Sequence, residues 1–310
     1  MAHNLTRDPL VSILINNYNY GKFVGDAISS ALNQTYPNIE VVVVDDGSTD
    51  CSRKIIEQYG DRIVTVFKDN GGQPSAFNAG FANSTGDIIC FLDSDDVFET
   101  HKIAEIVNVF EKNIDIGYCF HAYYDVEHAS RKILGRNPVE QETRLIDFRE
   151  QIRRGKNPTF APSTSSLCFS RQLLTKILPM SEEISFSFDN FLKYSAILLE
   201  KGFYLDEELT KLRIHENNFY SRKPQKSMVR SKTNLLTAYL FADRFPEARE
   251  FARRTFSVGL AEYRYTHSKD EECEKIIARF FKHLSFSEKQ YVLLRTAYRM
   301  LRMRLKEANP

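Results

Sequence analysis

Two clusters of carboxylates carry the clearest chemical potential in this 310-residue sequence: Asp45-Asp46-Gly47-Ser48 and Asp93-Ser94-Asp95-Asp96. Each follows a short apolar run, Val41–Val44 and Ile88–Leu92, that reads as a buried strand. In an open parallel sheet, ligands bind outside the carboxyl ends of the strands, so both clusters point into one crevice. Crowded carboxylates repel one another unless a cation or hydrogen-bond donors offset them. The spacing Asp93-x-Asp95 supplies two hard oxygen ligands, suited to Mg²⁺ or Mn²⁺ shared with substrate phosphates. Taken singly, Asp45–Ser48 reads as a turn leading into a helix cap, and Asp93–Asp96 reads equally well as a solvated acidic loop. Their recurrence on successive strand ends of one sheet favours a shared site.

Three other motif classes do not fit. A phosphatase-type Asp-x-Asp-Gly-Thr needs an acid where Val44 stands. A calcium loop beginning at Asp93 needs glycine where Phe98 stands. The glycine-rich turn of a dinucleotide site is missing after the first strand, where Asn16-Asn17-Tyr18-Asn19-Tyr20 occurs instead.

The elements that must position these residues alternate. Strands are expected at Val11–Ile15, Ile39–Val44, Ile63–Phe67, Ile88–Leu92 and Ile116–Phe120. Helical patterns lie between them near 21–34, 48–59 (with Ser48 or Thr49 as N-cap) and 74–83, and a further helix carries Ile103, Ile106, Val107 and Phe110 on one face. Alternation at this spacing predicts βαβ units and an α/β fold with a mostly parallel central sheet flanked by helices. Residues 122–186 are mixed, with a strand at Ser165–Phe169. A helix at Phe188–Glu200, stopped by Lys201-Gly202, precedes a strand at Thr210–Ile214. After Pro224 glycine almost vanishes and three or four helices follow to Leu305. The expected organisation is a domain over 1–224, with halves of about 1–121 and 122–224, and a helical region over 225–310.

Composition is that of an ordinary globular protein, 42% apolar and 27% charged. With 42 basic and 41 acidic residues the formal net charge is +1, so no global field argues for a nucleic-acid partner. Five scattered cysteines (Cys51, Cys90, Cys119, Cys168, Cys273) match neither a zinc spacing nor a disulfide framework, as expected for a reducing cytoplasm. The first ten residues lack the apolar stretch of a signal peptide, and no run approaches the roughly 20 apolar residues of a membrane span. The expectation is a cytoplasmic chain, membrane-peripheral at most.

The ordered motifs resemble family 2 glycosyltransferases of the GT-A fold over roughly residues 10–220. They are Asn16–Asn19, Leu32-Asn33-Gln34-Thr35-Tyr36, Asp45–Asp50, Asn70-Gly71-Gly72, Asn78-Ala79-Gly80, Gly86-Asp87 and Phe91–Asp96. That resemblance implies a nucleotide-diphosphate donor such as a UDP-sugar, an inverting mechanism of hexosyl type and a bound divalent cation. It implies that Asn16 and Tyr18 line the donor-base pocket, that Asp46 reads the base edge with Asp45 beside it, and that Asn78 and Ser94 belong to the donor site. Asp93 and Asp95 match the Asp-x-Asp pair, with Asp95 the direct metal ligand. One departure is Phe77, where such sequences often carry arginine. Backbone N–H groups of Gly71, Gly72 and the following helix start are the alternative partners for a diphosphate.

An inverting transfer needs a carboxylate to take the acceptor hydroxyl's proton. Asp189 opens a predicted helix, where the positive helix end favours the ionised form, and it matches the family's base position. By itself, an acid in a first helical turn is ordinary. His215, in Leu212–Asn218, resembles a family motif and reads as a third metal ligand or phosphate contact, or as a structural loop histidine. Arg213 and the pair Arg222-Lys223 read as phosphate contacts or, more simply, solvated surface charges. In the last helix, about 287–306, Leu294, Tyr298, Leu301 and Leu305 run beside Arg295, Arg299, Arg302 and Lys306. This pattern fits an anionic membrane surface, a homodimer contact or packing on the chain's own core. The expected partners are a nucleotide-sugar donor and a glycan or lipid-linked acceptor in polysaccharide or glycoconjugate assembly. The competing readings are a nucleotidylyltransferase-like enzyme and an inactive sugar-nucleotide or glycan-binding module.

Overall fold

The computed structural model describes residues 8–138, 142–158, 162–182, 189–216, 218, 226–266 and 269–308. Four parallel strands come first: β1 (Val11–Asn17), β2 (Ile39–Asp46), β3 (Val64–Lys68) and β4 (Ile88–Asp93). The helices α1 (Gly21–Leu32), α2 (Ser52–Glu57) and α3 (Gln73–Ala82) connect them. β5 (Val97–Phe98) and α4 (Lys102–Lys112) follow, then β6 (Tyr118–Glu127), β7 (Ile133–Asn137) and β8 (Arg144–Ile146). After α5 (Arg149–Arg153) come β9 (Leu167–Ser170), α6 (Arg171–Ile177), α7 (Asp189–Leu199) and β10 (Gly202–Ile214). Among the described residues the strands form one sheet, ordered β3-β2-β1-β4-β9-β6-β10-β5, with β7 on β6 and β8 on β10. β9 runs antiparallel to both β4 and β6, and β10 is parallel to β6. The carboxyl ends of β1, β2, β4, β6 and β10 therefore share one edge.

The strands are nearly continuous in apolar residues because helices cover both faces. Ile13, Ile15, Val41 and Val43 pack with Val24, Ala27 and Ile28 of α1 and with Ile103, Ile106 and Phe110 of α4. The alternate residues Leu14, Val42 and Val44 are equally buried on the other face, where α3 contributes Ala76 and Phe77. Each such side chain contributes about 1.5–3 kcal/mol by leaving water. β10 is much longer than the strand expected at Thr210–Ile214. Gly202 opens this strand rather than closing the preceding helix, and a Cβ there would overlap the Tyr118 ring of β6.

α2 begins four residues later than the position expected from Ser48. Ser48 Oγ instead donates to Asp45 Oδ1 at 2.6 Å and accepts from Asn19 N at 2.8 Å. Asp50 Oδ1 accepts from Ser52 N at 2.9 Å, and its Oδ2 accepts from Gly21 N at 2.9 Å. Local side-chain hydrogen bonds outcompete the helix over this stretch. Gly47 is required here, because its φ of +77° suits glycine and a Cβ would lie 2.6 Å from Asn70 N.

The chain divides into two compact units, Met1–Asp147 with Thr159–His215, and Phe148–Pro158 with Glu216–Pro310. The second unit holds α5 with α8 (Lys226–Arg244), α9 (Arg249–Tyr265), α10 (Glu271–Lys282) and α11 (Phe286–Ala308). Its core includes Leu235, Phe241, Phe251, Leu260 and Ile276, with the Phe256 and Phe280 rings stacked 3.8 Å apart. Asp270 caps α10 by accepting from Cys273 N at 2.8 Å. No helix among the described residues is long and apolar enough to cross a membrane.

Candidate active site

Strand register assembles the site. Asn16 on β1 lies opposite Asp93 on β4, Asn17 lies opposite Asp45 on β2, and Asp46 lies opposite Lys68 on β3. The first turn beyond β1 is pinned to the first turn beyond β2. Asn17 Nδ2 donates to Asp45 Oδ1 at 2.7 Å, and Asn19 Oδ1 accepts from Thr49 N at 2.8 Å.

Asp45 is fully buried, and its oxygens accept from Asn17, Ser48 Oγ and Ser48 N. Its carboxylate thus faces the scaffold. Asp46 accepts from Lys68 Nζ at 2.6 Å and Gly71 N at 3.0 Å on one oxygen, and from Gly72 N at 2.8 Å on the other. A carboxylate offers about four acceptor sites, so one remains. The Gly71 and Gly72 N–H groups, expected as diphosphate partners, are turned onto Asp46. Gly72 itself sits at φ +82° as the residue before α3. Asp46→Asn should lower stability by about 1.5–3 kcal/mol, since a charge-assisted hub for the 68–72 segment is lost. Urea denaturation would register this as a lower midpoint with unchanged slope. An unchanged midpoint would show that the segment does not depend on this carboxylate.

The second cluster begins at the end of β4. Asp93 N donates to Ser165 Oγ at 3.0 Å, and Ser165 Oγ donates to Asp96 Oδ2 at 2.6 Å. Asp96 also accepts from Arg213 N at 3.1 Å. Burial, then Asp95 and then Asp189, push the Asp93 carboxyl up to about 8. Burial first, with Asp95 and Asp93 after it, likewise raises Asp96 well above the usual carboxylate range. The same acids, after burial, raise the Tyr20 hydroxyl. Asp93 thus lies within electrostatic reach of both Asp95 and Asp189. Ser94, between the two acids, is buried.

His215 completes this group. It follows β10, places Nε2 3.2 Å from Asp95 Oδ2, and stacks on Phe23 at 4.2 Å between ring centroids. Asp189, the first residue of α7, pairs with Lys193 Nζ at 2.9 Å through Oδ2. Lys193 is buried and also donates to Pro162 O at 3.1 Å. Asn16 presents a buried amide whose Nδ2 and Oδ1 have no hydrogen-bond partner among the described residues. Leaving such a group unmet costs about 1–3 kcal/mol, which a ligand at this edge would recover. Tyr18 is 48% exposed at the rim.

Other expected contacts fall elsewhere. Asn78 is tied to the segment after α6, donating to Met180 O at 2.9 Å and Glu182 Oε1 at 2.8 Å and accepting from Met180 N at 2.8 Å. Phe77 is buried with its ring 4.9 Å from that of Phe91, which explains why α3 offers no cation at this position. Arg213 is not a solvated surface charge. It is 6% exposed, pairs with Asp26 at 2.6 Å, donates to the Asp95 carbonyl and donates to Phe23 O at 3.1 Å. Arg222, Lys223 and the expected helix start at Phe188 lie outside the described residues.

Sequence reading also missed partners. Lys193 stands four residues after Asp189, the spacing of a helical ion pair, and that was the available signal. Lys68, Ser165 and Tyr20 reach the site through tertiary packing and left no such trace.

Among the described residues, no three His, Cys, Asp or Glu side chains already close on a common metal position. The donor set nonetheless fits a divalent cation. Two crowded carboxylates with a neighbouring imidazole suit Mg²⁺ or Mn²⁺ when substrate oxygens and water supply the remaining ligands.

The fold is an α/β sheet whose carboxyl edge, where ligands of open α/β sheets bind, is acidic. The chain belongs to glycosyl transferase family 2, whose family model matches residues 12–178. A Nostoc sp. protein described as an uncharacterized glycosyltransferase is 37% identical over 214 residues, covering 67% of this chain and 66% of that protein. A Rickettsia typhi protein of the same description is 32% identical over 220 residues, covering 68% and 66%. The match thus spans just under two thirds of the length of these relatives. Among solved structures, Staphylococcus aureus TarS 1–349 in complex with UDP superposes with a TM-score of 0.64 at 17% identity, covering 94% of this chain and 89% of that one. Mannosyltransferase PcManGT from Pyrobaculum calidifontis, in complex with GDP-Man and Mn²⁺, gives 0.52 at 15% identity, covering 97% and 90%. These two likenesses bear on the fold, which is of the GT-A type.

Proposed function

We propose that this chain moves a hexosyl group from a nucleotide-diphosphate donor, a UDP-sugar, to an acceptor hydroxyl with inversion at the anomeric carbon. The acceptor is a glycan or a lipid-linked glycan in polysaccharide or glycoconjugate assembly, and the five free cysteines fit a cytoplasmic setting. The observation that carries this reading is the convergence of Asp93, Asp95 and His215 at the carboxyl edge of the sheet, beside the unmet amide of Asn16 and with Asp189 within electrostatic reach of Asp93.

In this reading Asn16, Tyr18 and the remaining acceptor site of Asp46 hold the nucleoside. Asp45 keeps the pocket wall in place by fixing Asn17 and Ser48. Asp93 and Asp95, with His215, would hold the divalent cation, which offsets charge building on the departing diphosphate. Asp189 accepts the proton of the attacking hydroxyl, and Lys193 fixes its orientation by holding Oδ2. The nucleotides named for TarS and PcManGT support a nucleotide-sugar donor, UDP in one case and GDP-Man in the other.

The test is a thermal-shift titration with UDP, GDP, CMP and dTDP, each with and without Mn²⁺. A ligand that binds only the folded state raises the melting temperature by mass action. The expected result is a shift with UDP that requires the metal. A shift with another diphosphate would reassign the donor, and no shift with any of them would overturn the transferase reading in favour of a binding module.

A further inference from the structure

We infer that α11 is a docking surface for a bilayer rich in anionic lipid. The helix meets its own unit through one face only, where Val292 and Thr296 are buried and Val292 O accepts from Ser257 Oγ of α9 at 3.5 Å. The stripe Leu294, Tyr298, Leu301 and Leu305 lies on the opposite face. These residues are 70%, 63%, 55% and 55% exposed, and Phe286 at the start of the helix is 78% exposed. At 100° per residue the four fall within a sector about 60° wide, directed away from α9. Apolar side chains at this spacing ordinarily mark a packed face, yet here that face is turned outward. It is therefore a second apolar surface on the same helix, and folding of the unit leaves it uncovered.

The charges choose the occupant. Arg295 and Arg302 flank the stripe on one side and Arg304 on the other, and all three are exposed. The acid near the helix start, Glu288, is turned inward to Arg249 at 3.0 Å and Arg253 at 3.1 Å. An outward apolar stripe edged by arginines is complementary to a lipid headgroup layer, with Leu and Tyr entering the interface and guanidinium groups meeting phosphate. A second copy of the same helix would bring arginine edges together, and like charges would oppose that contact.

The experiment is co-sedimentation of the full chain with vesicles of phosphatidylglycerol and phosphatidylcholine, compared with phosphatidylcholine alone, at low and high salt. Binding should require the anionic lipid and weaken with salt. Each arginine near an anionic surface strengthens partition about fivefold, so R295Q/R302Q should weaken it about 25-fold. L294Q/L301Q should also reduce binding, by at least tenfold, through lost apolar burial. All four side chains are solvent-exposed, so both variants should keep the wild-type melting temperature, and each is an independent test if the other does not. Equal sedimentation of the wild type and both variants would overturn the inference. So would concentration-dependent dimerisation in analytical ultracentrifugation that L294Q/L301Q abolishes, because a second copy would then cover the face.

Discussion

Asp189→Asn is expected to slow sugar transfer by about 10²–10⁴-fold while nucleotide binding stays close to that of the wild type. The magnitude is that of losing a positioned general base. The separation of effects follows from placement. Asp189 opens α7 and feels Asp93 electrostatically, whereas Asn16, Asp46 and Lys68 belong to the strand ends β1, β2 and β3. Asparagine keeps the shape and one oxygen for Lys193 but cannot accept the proton. Asp189→Ala is the poorer probe, because it removes both the charge and the oxygen that hold the mostly buried Lys193, and breaking such a pair outright costs about 3–5 kcal/mol. Transfer at the wild-type rate by the asparagine variant would assign the base to another residue. A parallel loss of nucleotide affinity would instead point to a collapsed site.

Asp95→Ala is expected to abolish most metal-dependent donor binding, weakening it by about 100-fold or more as an oxygen ligand is removed. With nucleotide at 100 times its dissociation constant, binding stabilises the fold by about 2.7 kcal/mol, and a site weakened 100-fold retains only about 0.4 kcal/mol. A thermal-shift measurement separates those values by several degrees. Chelation of the wild type with EDTA should produce the same loss. Loss of the His215 contact at 3.2 Å is a secondary consequence, since Phe23 still holds the ring by stacking. Unchanged Mn²⁺-dependent affinity in the variant would remove Asp95 from the metal shell.

The strand–helix alternation and both acidic clusters were legible in the sequence because each is local. A β-branched run buried on two faces looks the same wherever it sits, and an Asp-rich turn follows it directly in the chain. Elements whose existence depends on distant partners were not legible. β7 and β8 pair with β6 and β10, and the residues of β8, Arg144–Ile146, carry no alternation that distinguishes them from a loop. Segment 148–158 carries no sequence signal for its grouping with the C-terminal helices. Its α5 packs against α9, and a Cβ at Gly155 would meet Arg254 and Glu250.

The candidate site divides the same way. Sequence by itself determined the family motifs, the acid pair Asp93 and Asp95, and the position of Asp189 at a helix start, because spacing within one element encodes each of them. Tertiary structure alone decided what those groups face. Asp45 is spent on Asn17 and Ser48, Asp46 gathers Lys68 and two backbone N–H groups, Asn78 holds Met180, and Arg213 is buried against Asp26 and Phe23. Tertiary structure also showed that the apolar stripe of α11 is not the face that packs. The physical reason is common to all of these: periodicity and propensity act between neighbours in the chain. Burial, register and the partner of a charged group depend on residues tens to nearly two hundred positions away, which only the folded chain brings together.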